Sequence, residues 1–201
     1  SKPFLGIHHL EGHLSSILFS KNYPKPPFLT LLVSGGHTEL IKVGERREMQ
    51  RLGRSYDDAA GEAFDKVGRL LGLSYPGGPA IAKIAQKGDA TKFKLPKCKI
   101  SDKKGGFLKY DFSFSGLKTA VLRLVEKISL NGDKIPIQDI AASFERVVAE
   151  VLVERTIKCA MDNGLDNIVV VGGVAANDTL RKMMIKEACR KSIKVHLAPI
   201  N

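Results

Sequence analysis

Cysteine is scarce in this chain of 201 residues: there are three, Cys98, Cys159 and Cys189, and they lie far apart. An odd, scattered set forms no disulfide framework and lacks the paired spacing of a thiolate zinc site, so it fits a reducing compartment. Long apolar runs are missing too. No stretch is long enough to span a membrane, and the opening residues do not have a signal-peptide pattern. The expectation is a cytoplasmic protein without a membrane partner. Acidic residues are in deficit, 21 against 32 Lys and Arg, for a formal net charge of +11. That excess favours an anionic partner, most simply nucleic acid, although a generally lysine-rich composition has the same sign. There is no internal repeat and no low-complexity segment. The chain opens at Ser1 and runs straight into apolar sequence, so it is expected to be a piece of something longer. The remainder is globular in character, with 43% hydrophobic residues.

The stretch that organises the chain is Leu29 to Val43. Leu29, Leu31 and Val33 alternate with Thr30 and Leu32 and predict a strand with both faces buried; Leu40, Ile41 and Val43 resume the pattern after a turn. Gly35 and Gly36 can take positive φ and bring backbone N–H groups near a ligand, with Ser34, His37 and Thr38 beside them. Such a turn suits a phosphate or carboxylate, and it also suits an ordinary hairpin.

Upstream, a short strand is expected at Phe4 to Ile7 and a helix at Glu11 to Phe19. His9 and His13 are four apart, which puts two imidazoles one turn apart on one helix face. Two ligands alone do not complete a metal site, and a pair of exposed histidines would look the same. His8 and Glu11 are placed to orient them. Asn22 to Pro27 is a proline-rich linker.

A third strand is expected near Met49 to Leu52. A helix from Asp58 to Leu71 follows, with Ser55 and Asp58 at capping-box spacing. Asp58, Glu62 and Asp65 line one face of it, either as a carboxylate stripe for ribose hydroxyls or a hydrated metal, or as a solvated acidic face. Tyr75-Pro-Gly-Gly-Pro-Ala80 predicts a tight turn, and residues 80–87 a short helix. Residues 89–110 are lysine-rich and predict an irregular insertion. Ser115 is a plausible cap for the next helix, and a long helix is expected from Asp139 to Asn163. Ile168 to Val171 predicts a buried strand that runs through Gly172-Gly173 to Asn177, with a helix from Asp178 or Thr179 to Arg190 whose N-terminus is available to an anion. Lys194 to Leu197 is the last strand. This order matches an RNase H-like half of the actin, Hsp70 and sugar-kinase superfamily, an α/β fold.

Seven motifs stand in sequence: His8-His-Leu-Glu-Gly-His13, Val33-Ser-Gly-Gly-His-Thr38, Gly61-Glu-Ala-Phe-Asp-Lys66, Tyr75-Pro-Gly-Gly-Pro79, Phe112-Ser-Phe-Ser-Gly-Leu-Lys118, Ala141-Ala-Ser-Phe144 and Val171-Gly-Gly-Val-Ala-Ala-Asn177. Together they closely resemble the TsaD/Kae/Gcp family of tRNA adenosine threonylcarbamoyltransferases, and His37 resembles its bacterial branch. The resemblance implies transfer of a threonylcarbamoyl group from threonylcarbamoyl-adenylate to N6 of the adenosine 3′ of certain tRNA anticodons. It implies one iron or zinc ion per subunit, with His9 and His13 as ligands. It also implies an adenylate site at Leu32, Val33, Ser34, Gly35 and Gly36, with Asp65 and Gly78 on the adenosine side and Asn177, with the Gly172-Gly173 turn, completing the nucleotide pocket. Glu11, His37, Glu62, Gly172 and Gly173 are secondary candidates. The implied partners are tRNA, a TsaB-like paralogue and a TsaE-like ATPase. Residues 1–27 then end a first lobe, and 28–201 form the second lobe, with an insertion at about 73–138.

Departures from the family pattern are part of the expectation. No glycine- and Asp-containing phosphate turn opens the chain, and the segment carrying the family's third metal ligand would begin where Pro199-Ile-Asn201 stands. Ala82 replaces an acidic residue found in many members. This 201-residue stretch is therefore expected to be weakly active or inactive alone. Two other readings share the fold, a non-catalytic TsaB-like scaffold and an O-carbamoyltransferase acting on small molecules. A metallopeptidase lacks support, because no Glu directly follows His9.

Overall fold

The six residues of β1 (Phe28–Val33) are all buried, as a central strand covered on both faces requires. In the computed structural model, which describes Gly12 and residues 24–102 and 105–197, β1 lies in the middle of a five-stranded sheet. It pairs antiparallel with β2 (Thr38–Val43), which pairs antiparallel with β3 (Met49–Arg54) at one edge. On its other side β1 pairs parallel with β4 (Asn167–Val171), and β4 with β5 (Lys194–Leu197). The order β3-β2-β1-β4-β5, two antiparallel pairings and then two parallel ones, is that of an RNase H-like lobe. The hairpins form locally, while the parallel pairings need helical crossovers.

Alternation along the strands creates two separate apolar clusters. Leu29, Leu31, Val33, Leu40, Ile168 and Val170 face the helices. Phe28, Leu32, Ile41, Val43, Val169 and Val171 form a second buried cluster on the opposite face.

Five helices belong to the first cluster: α1 (Ala60–Leu70), α2 (Gly77–Ala85), α3 (Ser115–Leu130), α4 (Ile137–Asp162) and α5 (Asp178–Cys189). At 26 residues α4 is about 39 Å long and serves as the spine, with α2 and α5 packed along it. Phe64 of α1 meets Phe144 of α4 edge to face at 5.2 Å between ring centroids. The described residues of the lysine-rich segment 89–110 form no helix or strand element, as expected; Leu95 within it is buried in this core, and so are Ile81, Phe112, Phe114, Leu117 and Val121 on its flanks.

Local starts differ from the expected ones for identifiable reasons. The first helix begins at Ala60, not Asp58, because Thr38 Oγ1 accepts the Ala60 N–H at 2.9 Å, whereas the Ser55 hydroxyl donates to the Asp58 carbonyl. The turn expected at Tyr75–Ala80 is already helical from Gly77, whose N–H donates to Asp65 Oδ1 at 2.7 Å. Ser115 opens α3 but does not cap it; Asp57 does so from across the chain. The expected strand Phe4–Ile7 and nearly all of the expected helix Glu11–Phe19 lie outside the described residues, within which Gly12 is helical.

Candidate functional site

The carboxyl ends of β1 and β4 are neighbours, with Leu32 opposite Val171, and both strands run into glycine turns there. In open α/β sheets ligands gather at that end of the strands. The β1 turn is closed by Ser34 N–H donating to the His37 carbonyl at 2.8 Å and by His37 N–H donating to Ser34 Oγ at 3.2 Å. Gly35 and Gly36 are exposed at its tip. Neither uses the positive φ open to a glycine, whereas Gly172 in the facing turn does, with φ of 99°.

The turns converge by close backbone approach. A Cβ on Gly61 would lie 2.6 Å from the Ser34 carbonyl oxygen and 2.7 Å from Gly35 Cα, and one on Gly172 would overlap the Val33 carbonyl. Gly61 N–H donates to the Ser34 carbonyl at 3.2 Å. The first turn of α1 is thus packed directly on the hairpin turn, and Gly172 is packed on its other flank. Two early amides of α1 are spent on Thr38 and Ser34, so this helix start fixes the turn and does not offer itself to an anion.

After β4 the chain makes a 3₁₀ turn, Gly173–Ala176, before α5. The α5 N-terminus, expected to be available to an anion, is capped by the protein: Leu180 N–H donates to Asn177 Oδ1 at 2.9 Å. Asn177 Nδ2 donates to Glu145 Oε1 at 2.6 Å, and Thr179 Oγ1 donates to Glu145 Oε2 at 2.8 Å. Glu145 is 7% exposed, on α4.

The acidic stripe on α1 is divided. Asp58 and Glu62 share Lys66, at 2.7 and 2.9 Å, and that lysine holds the Glu62 carboxyl below its ordinary value. Asp65 turns away from them to cap α2, beside Gly78, where a side chain would meet open space. The structure therefore gathers Ser34, Gly35, Gly36, His37, Gly172 and Gly173 at one end of the sheet. It places Asp65 and Gly78 together further along α1, and Asn177 on the loop that the 3₁₀ turn leads into. Leu32 and Val33 are fully buried. His9, Glu11 and His13 lie outside the described residues. Among the described residues no group of three or more His, Cys, Asp or Glu side chains is placed to hold a metal ion.

Asp57 and Glu145 are the residues that sequence reasoning missed. Asp57 accepts from Ser113 Oγ at 2.6 Å, Phe114 N–H at 2.8 Å, Ser115 Oγ at 2.8 Å and Ser115 N–H at 3.3 Å. Burial works against its charge, but these four bonds win and hold its carboxyl below the usual value. They fasten the Phe112-Ser-Phe-Ser-Gly segment to the loop that leads into α1. The available signal for Glu145 was an acid inside the apolar stripe Phe144, Val147, Val148 of a long helix. A surface groove of about 520 Å³ involves none of these residues; it lies between α4 and α5, lined by Glu150, Ile157, Met161 and Met183 among others.

An RNase H-like sheet with two glycine turns meeting at the carboxyl ends of β1 and β4 defines the class: one lobe of an actin- and sugar-kinase-like protein. A solved structure of full-length HypF in a phosphate- and nucleotide-bound form matches with a TM-score of 0.68 at 12% identity, over 96% of this chain and 39% of that one. HypF from T. kodakarensis matches with a TM-score of 0.51 at 22% identity, over 74% of this chain and 18% of that one. The family model described as TsaD, tRNA N6-adenosine threonylcarbamoyltransferase, matches residues 1–200, and the chain belongs to that family. A curated tRNA N6-adenosine threonylcarbamoyltransferase of Prochlorococcus marinus subsp. pastoris (strain CCMP1986 / NIES-2087 / MED4) is 94% identical over 201 residues. The one from Prochlorococcus marinus (strain MIT 9215) is 84% identical over the same length. The chain spans about half the length of these relatives, 56% of each.

Proposed function

We propose that the protein of which this chain is part transfers a threonylcarbamoyl group from threonylcarbamoyl-adenylate to N6 of the adenosine 3′ of the anticodon in tRNA. The observation that carries the reading is the family match over residues 1–200, and the convergence of its glycine turns at one sheet end supports it. The adenosine amine attacks the carbamoyl carbon, the bond from that carbon to the phosphate oxygen breaks, AMP leaves, and the amine gives up a proton. The donor already has a good leaving group, so the protein's task is positioning and stabilising charge on oxygen. In this reading the backbone of Leu32 to Gly36 receives the acyl-phosphate end. Gly172 and Gly173 close the other side of the turn. Asp65, Gly78 and Asn177 receive the adenosine side, and Asp65 does so from a carboxylate whose other duty is to cap α2.

The family implies a metal ion, iron or zinc, which would polarise the carbonyl when bound. His9 and His13 are its proposed ligands from this chain; the described residues alone assemble no such centre. A net charge of +11 suits the tRNA backbone. A TsaB-like paralogue and a TsaE-like ATPase are the proposed protein partners, and the cytoplasm the proposed site of action. No described helix is long and apolar enough to cross a membrane. The test is transfer to tRNA in the full-length protein with Ser34→Ala, Asp65→Ala and Asn177→Ala. Each should lower kcat/KM for the adenylate by about tenfold or more, given one lost charge-assisted or oriented hydrogen bond. Rates equal to the unaltered protein in all three would remove the site from this place.

A further inference from the structure

Asn177 is held between two partners of opposite hydrogen-bonding character. An ionised carboxylate only accepts hydrogen bonds and a backbone N–H only donates them. Glu145 Oε1 therefore takes Asn177 Nδ2 at 2.6 Å, and Leu180 N–H takes Asn177 Oδ1 at 2.9 Å. A flipped amide would set oxygen against oxygen on one side and N–H against N–H on the other. The second carboxylate oxygen accepts separately from Thr179 Oγ1 at 2.8 Å. Glu145 is itself 7% exposed and rises from α4, the most deeply packed helix, so the anchor is rigid.

We infer that Glu145 is a positioning residue for the nucleotide side of the site. It fixes which hydrogen-bonding groups Asn177 presents to a ligand: the second Nδ2 hydrogen and the second lone pair of Oδ1. The inference rests on the proposed adenylate site, to which Asn177 belongs. One donor and one acceptor side by side match a ribose hydroxyl or an adenine edge, each of which can give and take a hydrogen bond. The energetic logic is preorganisation, since an amide that need not choose its orientation on binding loses less freedom when the ligand arrives.

The test uses the full-length protein, with AMP as the calorimetric probe and threonylcarbamoyl-adenylate as the kinetic one. Glu145→Ala frees the amide and is expected to weaken AMP binding by about tenfold or more. It should also raise KM for the adenylate more than it lowers kcat. Glu145→Gln can still accept from Asn177 through its amide oxygen and is expected to stay within about threefold of the unaltered protein. Thr179→Val breaks the other arm without touching Asn177, and its AMP affinity should stay within about twofold. The exchanged pair Glu145→Gln with Asn177→Asp restores a hydrogen bond of reversed polarity. It should melt near the unaltered protein yet bind AMP poorly, because an acceptor now stands where the donor was. The inference is overturned if Glu145→Ala or the exchanged pair binds AMP normally, or if Thr179→Val loses as much as Glu145→Ala. Absence of AMP binding in the unaltered protein is a different result: it removes the nucleotide site and the positioning role together.

Discussion

At the scale of single residues, Asp57 shows how much one carboxylate organises. Its four hydrogen bonds reach residues 56 to 58 positions away. Local sequence made it look like one more acid at a helix start, and nothing within a helical turn named its partners. Glu145 was hidden in the same way, with partners 32 and 34 residues off. The glycines at 61 and 172 were visible in the sequence only as motif members; the structure shows that they stand where no side chain fits. For Asp57 the sign of the pH dependence follows from its lowered carboxyl value. A depressed value means stability that is present above the ordinary carboxylate range and lost as pH falls through the folded-state value. Asp57→Ala should therefore cost about 1 kcal/mol or more near neutral pH, as loss of a capping carboxylate does. In thermal melts that difference should close as pH falls below the ordinary carboxylate range. Cys159 offers a second check. Burial pushes its thiol up to about 12, while Cys189 is exposed. Iodoacetamide should label Cys189 in the native protein and reach Cys159 only on unfolding.

At the scale of elements, periodicity located the five strands and five helices of the described residues with small errors at their ends. The errors share a cause, because caps came from elsewhere in the fold. Thr38 ends β1's hairpin turn and caps α1 in one stroke, 22 residues ahead of Ala60. Asp65 caps α2 from 12 residues away, which turned an expected Pro-Gly-Gly-Pro loop into a first helical turn. The lysine-rich segment 89–110, read as irregular for want of apolar periodicity, holds no helix or strand element among its described residues, and its flanks pack Ile81, Phe112 and Phe114 into the core. Thr38→Val keeps the shape and removes the acceptor, leaving a buried N–H unpaired. Urea unfolding should show a loss of about 1–3 kcal/mol. Gly172→Ala asks a side chain to adopt positive φ and to overlap the Val33 carbonyl. It should cost about 2 kcal/mol or more and disturb the turn itself. Unchanged unfolding midpoints in these variants would show that the turns are not packed as described.

At the scale of the molecule, the sheet order was legible because hairpin signals and one buried strand leave little topological choice. The site was legible as motifs but not as a shape. Which glycine turns touch, and which helix start is consumed by the protein itself, depends on the crossover that lays β4 beside β1. The excess of positive charge predicts that tRNA affinity of the full-length protein falls steeply between low and physiological salt, while AMP affinity does not. The most direct measurement is nucleoside analysis of tRNA incubated with the full-length protein, threonylcarbamoyl-adenylate and the proposed partners, a TsaB-like paralogue and a TsaE-like ATPase. The expected product is N6-threonylcarbamoyladenosine 3′ of the anticodon, lost with Asn177→Ala. Unmodified adenosine with the unaltered protein under those conditions would contradict the proposed transfer.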